Sequence, residues 1–106
     1  MTLDAAIASL LSLSSDDWDA EFIRPSQSAI DRARALLPTG ADVTCSTLGD
    51  GGLRVRIHGT RWDSLRLIVP PDGGKPARLY HRTRGRWASE LATAEVVAQR
   101  IAVLTA

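Results

Sequence analysis

The sequence of 106 residues has one cysteine, one lysine, one tyrosine, one phenylalanine and two histidines, and no run of about 18 apolar residues. Each shortage removes a class of function. Cys45 has no second cysteine with which to close an internal disulfide. Cys45, His58 and His81 lack the paired spacing of zinc ligands, so no metal and no cofactor is expected. Leu3 to Leu13 is too short and too polar-flanked for a signal. With no apolar span and no basic-then-apolar leader, the expected location is the reducing cytoplasm, away from the membrane. Hydrophobic residues at 44% and charged residues at 24% are ordinary globular values. A chain of this length buries one core but not two, so a single domain, 1–106, is expected.

What the chain does have is a separation of charge. The net charge is +1. Residues 1–52 carry eight acids and three arginines, a balance of −5. Residues 54–86 carry nine basic side chains against Asp63 and Asp72 alone, a balance of +7. A dipolar distribution of this kind steers a partner of opposite sign and orients it.

Leu3, Ile7, Leu10 and Leu11 recur at helical spacing behind Thr2 as an N-cap, with Asp4 in the favourable first turn. Residues 12–24 read as a connector in which Asp16, Asp17, Asp19 and Glu21 surround Trp18 and Phe22, the two rings anchoring it to the core. A second helix begins at Pro25 or Ser26, presents Ala29, Ile30, Ala33, Leu36 and Leu37 on its apolar face, and ends at Pro38 and Gly40. From Asp42 the period changes to two, broken by glycine-containing turns at 49–52, 59, 72–74 and 85. Ala94, Val97, Ile101 and Leu104 return to helical spacing. The fold class is therefore α+β: an antiparallel meander of four to five strands, with two N-terminal helices and one C-terminal helix packed on one face.

Register decides what the other face presents. Placing Val43, Cys45 and Thr47 on one face with Leu53, Val55 and Ile57 puts Cys45 opposite Val55 and makes Gly49-Asp50-Gly51 a three-residue turn. The same test on the next hairpin places Val55 opposite Leu65, Leu53 opposite Leu67, Arg54 opposite Arg66, and His58 opposite Trp62 across Gly59-Thr60-Arg61. On the fourth strand, Leu67 meets Leu79, Val69 meets Ala77, Arg66 lies beside Tyr80 and Ile68 beside Arg78. The outer face then collects Arg54, Arg56, His58, Trp62, Arg66, Arg78, Tyr80 and Arg82. Like charges facing each other across a sheet are destabilising, so an acidic group is expected nearby.

Arg54, Arg56, Trp62, Arg66, Arg78, Tyr80 and Arg82 form the expected partner-binding surface. Arg, Trp and Tyr are the usual anchors of protein interfaces, which makes a protein partner or self-association the first reading. Nucleic acid is the alternative, with phosphates on the arginines and unpaired bases on the rings. A third account is purely structural: the acidic connector folds over the sheet and pairs with it. Catalysis is not expected, because the register puts Cys45 on the inner face and His58 on the outer, too far apart for a thiol-imidazole relay. Asp42 is expected opposite His58, and His81 as a boundary residue near Trp87. Gly49-Asp50-Gly51-Gly52 joins two antiparallel strands and leads into no helix, so it is a hairpin turn and not a phosphate cradle. The polar loop from Val69 to Pro76 is expected to be exposed.

Asp17-Trp18-Asp19, then Pro25-Ser26 with Ala29-Ile30 and Ala33 to Leu37, then Gly49-Asp50-Gly51-Gly52-Leu53 and the strand from Leu65 to Val69 follow one another in order. In this the chain resembles a set of short bacterial proteins with a Trp-Asp-Gly motif, a Pro-initiated helix and an Asp-Gly-Gly hairpin turn. Ala20 stands where that motif has glycine. The resemblance implies no activity or ligand. Its small helix-plus-meander plan is similar in form to antitoxins and immunity proteins, which work by holding a partner.

Overall fold

The computed structural model describes residues 1–12, 24–58 and 64–105, with side chains described to residue 102. Thr2 caps α1 (Leu3–Leu11) by accepting a hydrogen bond from the Ala5 N–H at 3.2 Å. Ser26 does the same for α2 (Gln27–Leu36), accepting from the Ala29 N–H at 3.1 Å, so Pro25 lies one position ahead of the cap. The Ser26 hydroxyl also donates to the Pro71 carbonyl, which ties this helix start to the proline-rich loop around Pro70 and Pro71. Leu37 stops α2 in an extended conformation, as steric pressure from the following Pro38 requires.

Five antiparallel strands follow in chain order: β1 (Val43–Thr47), β2 (Leu53–Ile57), β3 (Ser64–Val69), β4 (Arg78–Thr83) and β5 (Arg86–Leu91). The chain ends in α3 (Ala94–Thr105). Alternation along β2 and β3 sends Leu53, Val55, Ile57, Leu65, Leu67 and Val69 to one face, where all are buried. Ala29 and Ala33 of α2, Ala6 of α1 and Val97 of α3 close over that face and complete the core.

Cys45 pairs with Val55 and Thr47 with Leu53, so the first hairpin turns through residues 49–51 as expected, with Gly49 and Gly51 at φ of +83° and +91°. The third hairpin pairs Leu67 with Leu79, Arg66 with Tyr80 and Ile68 with Arg78, also as expected. The second differs. Val55 faces Leu67 and Leu53 faces Val69, a slip of two residues from the expected pairing. The residues between His58 and Ser64 are thus 59–63, a longer connection than the expected turn. A slip of two preserves every residue's face, so hydrophobic alternation cannot detect it. Trp62 and the acidic connector with Trp18 and Phe22 lie outside the described residues.

Two ties hold the periphery. The Arg32 guanidinium donates to the carbonyls of Pro70, Asp72 (3.1 Å) and Lys75 (2.6 Å), strapping the proline-rich loop to α2. Glu90, on the core face of β5, accepts a forked pair of hydrogen bonds from Arg100 of α3 at 2.9 and 3.1 Å and lies 3.0 Å from His81 Nε2. This places His81 on the helix side of the sheet, in a polar cluster, and not beside Trp87. The Arg100 guanidinium, helped by His81, holds the Glu90 carboxyl below its ordinary value of 4.5.

A depressed folded pKa contributes stability that is present above 4.5 and lost as pH falls through the folded value. With Arg100 39% exposed, solvent screening keeps the pair small. Glu90→Gln is expected to cost about 0.5–1 kcal/mol at neutral pH and to flatten the decline of stability below 4.5. Urea denaturation of both proteins between acid and neutral pH measures this.

Candidate functional site

With the core on one side, the pairings fix three rows on the other. Thr44, Arg56, Arg66, Tyr80 and Ser89 form one row across the sheet. Ser46, Arg54, Ile68, Arg78 and Leu91 form the next. Ser64, Arg82 and Trp87 form a third. Among the described strand residues, no outer-face position carries an acid.

Six of the seven expected surface residues are thus brought together: Arg54, Arg56, Arg66, Arg78, Tyr80 and Arg82. Trp62 falls in residues 59–63, outside the described residues. The expected pairing of Arg54 with Arg66 is corrected. Arg54 faces Ile68, and it is Arg56 that stands opposite Arg66. Arg54, Arg56 and Arg66, with Thr44 and Ser46, line a shallow depression of about 190 Å³.

Neutral hydroxyls orient three of the outer arginines. Arg54 Nε donates to Ser46 Oγ at 3.1 Å, Arg66 Nε to Ser64 Oγ at 3.0 Å, and an Arg78 Nη2 to Ser89 Oγ at 3.2 Å. Among the described residues, no carboxylate lies within 4 Å of Arg54, Arg56, Arg66 or Arg78. The described ion pairs lie elsewhere: the terminal ammonium with Asp42, Arg34 with Asp4 and Asp31, and Glu90 with Arg100 and His81.

Trp87 is the ring that sequence reasoning missed. It is 50% exposed, faces Arg82 across the β4–β5 pairing, and carries the guanidinium carbons of Arg66 and Arg82 at 5.3 and 5.6 Å from its centroid. The signal was present in the sequence. Continuing the alternation through the Arg84-Gly85 turn places Trp87 opposite Arg82.

The remaining polar candidates are accounted for locally. Asp42 does continue the pairing toward His58, whose N–H donates to the Asp42 carbonyl at 2.8 Å. The Asp42 carboxylate, however, holds the N-terminal ammonium, which lowers its pKa, while His58 Nε2 lies 2.8 Å from Thr44 Oγ1. No group of three or more His, Cys, Asp or Glu side chains that could hold a metal occurs among the described residues. No described helix is long and apolar enough to cross a membrane.

Cys45 packs against the core, and burial pushes its thiol up to about 11. A raised folded value means the thiol's contribution to stability is full below its ordinary 9.0 and is lost as pH rises from there to about 11. Two units also leave about a hundredfold less thiolate at pH 8 than an exposed cysteine has. Iodoacetamide is expected to label Cys45 about a hundredfold more slowly in the native protein than in urea at that pH.

Comparison with protein-family models, with curated proteins and with solved structures gives no match, so what this face binds has to be read from its geometry.

Proposed function

We propose that the protein is a non-enzymatic cytoplasmic interaction module that holds an acidic patch of a protein partner on its outer sheet face. The observation that carries this is Arg56 directly opposite Arg66, with no carboxylate within 4 Å of either among the described residues. Opposed like charges cost stability in the free protein. A bound carboxylate cluster would remove that cost, so complex formation gains twice, from attraction and from relief of repulsion. Arg54 and Arg78 extend the same field along the next row, and Tyr80 and Trp87 supply the amphipathic surface that interface centres favour.

Arg66 and Arg82 lie over the half-exposed Trp87 ring, so the ring and its guanidiniums present one amphipathic surface of the kind that protein interfaces favour. The hydroxyl-bound guanidiniums are held in place before binding, which lowers the ordering cost of recognition. Against catalysis, Cys45 packs toward the core with a raised pKa, and His58 is engaged by Thr44, so the two do not form a relay.

Arg66→Glu sets a carboxylate opposite Arg56 and separates binding from folding. The free variant is expected to be more stable by up to about 1 kcal/mol, while its capture of a partner from source-cell lysate is lost. Pull-down before and after nuclease treatment, with denaturation of the purified proteins, measures both effects. Recovery that disappears with nuclease and falls steeply with salt would replace the protein partner by nucleic acid. Undiminished, nuclease-resistant recovery by the folded variant would remove this face from the reading.

A further inference from the structure

We propose that the free edge of β5 pairs antiparallel with β5 of a second copy of the chain, joining two five-stranded sheets into one across a two-fold axis. The pairing is made by the backbone of the sheet edge and shares only Trp87 and Leu91 with the outer face.

The sheet has two edges, β1 and β5. The β1 edge is occupied: the Val43 N–H donates to the Met1 carbonyl at 2.7 Å, the terminal ammonium pairs with Asp42, and α1 lies against β1. Among the described residues, nothing pairs with the β5 edge. All its residues except Glu90 are exposed, and among the described residues no backbone hydrogen bond reaches it from any element but β4. Trp87 at 50% and Leu91 at 55% are exposed large hydrophobics, both on this strand. Natural edges are guarded by lysine or other charges, proline, bulges or inward-pointing charged residues. β5 has no lysine, proline or break in its pairing with β4, and its inward charge, Glu90, is held by Arg100 and His81, which leaves Arg86 as its one charge without such a hold.

The turn determines which backbone groups face outward. Arg84 and Gly85 have φ of +52° and +76°, the two left-handed residues of a type I′ hairpin. Such a hairpin closes on a hydrogen-bonded pair, here Thr83 with Arg86. Alternation then points the N–H and C=O groups of Arg86, Ala88 and Glu90 toward β4, and those of Trp87, Ser89 and Leu91 away from the sheet. The next bond in the inward series, from the Ala92 N–H to the Ala77 carbonyl at 3.0 Å, agrees with this.

A two-fold axis through Ser89 satisfies that set in one register. Ser89 meets Ser89 of the second copy, and Trp87 meets Leu91 in both directions. All three pairs use outward-facing donors and acceptors. Trp87 and Leu91 share a face, so the symmetry lays each exposed ring against the other copy's exposed leucine. On the opposite face, Arg86 lies diagonal to Glu90 of the second copy. A shift of one residue would bring inward-facing groups to the seam. A shift of two would separate Trp87 from Leu91.

Sedimentation velocity and light scattering of the full chain, loaded up to about 1 mM where even a millimolar dissociation constant shows, test the pairing. The mass is expected to rise with concentration to twice that of the chain. Ser89→Pro removes an outward N–H while sparing the β4 ladder, and is expected to hold the mass at one chain. Should that variant not fold by circular dichroism, Leu91→Lys provides the same test, with the same expected loss. Ser89→Cys in a Cys45→Ala background is expected to give a covalent dimer on mild oxidation with copper-phenanthroline. A wild-type mass fixed at one chain, or a dimer that survives both a folded Ser89→Pro and Leu91→Lys, overturns the proposal. Arg54→Glu, an outer-face change on β2 with no contact to Trp87, is expected to leave the dimer intact, which keeps this test separate from that of the outer face.

Discussion

The burial of Leu53, Val55 and Ile57 on β2 is the constraint from which the rest of the surface follows. In an extended strand, neighbouring side chains point to opposite sides, so seating these three in the core delivers Arg54 and Arg56 to the other face. The same logic on β3 buries Leu65, Leu67 and Val69 and turns Arg66 outward. β4 has only Leu79 fully buried, yet its pairing with β3 carries Arg78 and Arg82 to the same side. The concentrated positive charge is therefore a consequence of the apolar pattern, and no rearrangement within this topology relieves it.

The ion pairs among the described residues are disposed in keeping with that. Asp4 and Asp31 meet Arg34, Asp42 meets the terminal ammonium, and Glu90 meets Arg100 and His81. Each of these pairs lies among the helices, at the β1 edge or on the core face of β5. Serine hydroxyls and the Trp87 ring position the outer arginines instead. A hydroxyl aligns a guanidinium without cancelling its charge, so the field of the face is preserved while its geometry is set. Glu90 has the complementary role on the inner side, where it links β4, β5 and α3 through one carboxylate.

Much of this could be read from residue order. The cap at Thr2, the stop at Pro38, the change of period at Asp42 and the glycine turn after Thr47 each reflect a local preference that the structure realises. The pairing of β2 with β3 was not readable, because registers two residues apart bury the same side chains and differ only in loop length. Trp87 was passed over for a related reason. β5 is an exposed strand with no buried residue, so it lacks the hydrophobic alternation by which strands are recognised. The loop is exposed from Asp72 to Pro76, as its composition indicates, but the hold of Arg32 from distant α2 on three of its carbonyls is not legible in residue order.

Sequence alone determined the helix ends, the meander and the sidedness of the arginines, because caps, turns and alternation act over a few neighbouring residues. Tertiary structure alone decided that Arg56 and not Arg54 opposes Arg66, that Arg66 and Arg82 lie over Trp87, and that β5 is left, among the described residues, as the open edge. These depend on loop closure and on contacts between residues distant in the chain, where alternatives of equal local merit are separated only when the whole sheet is assembled.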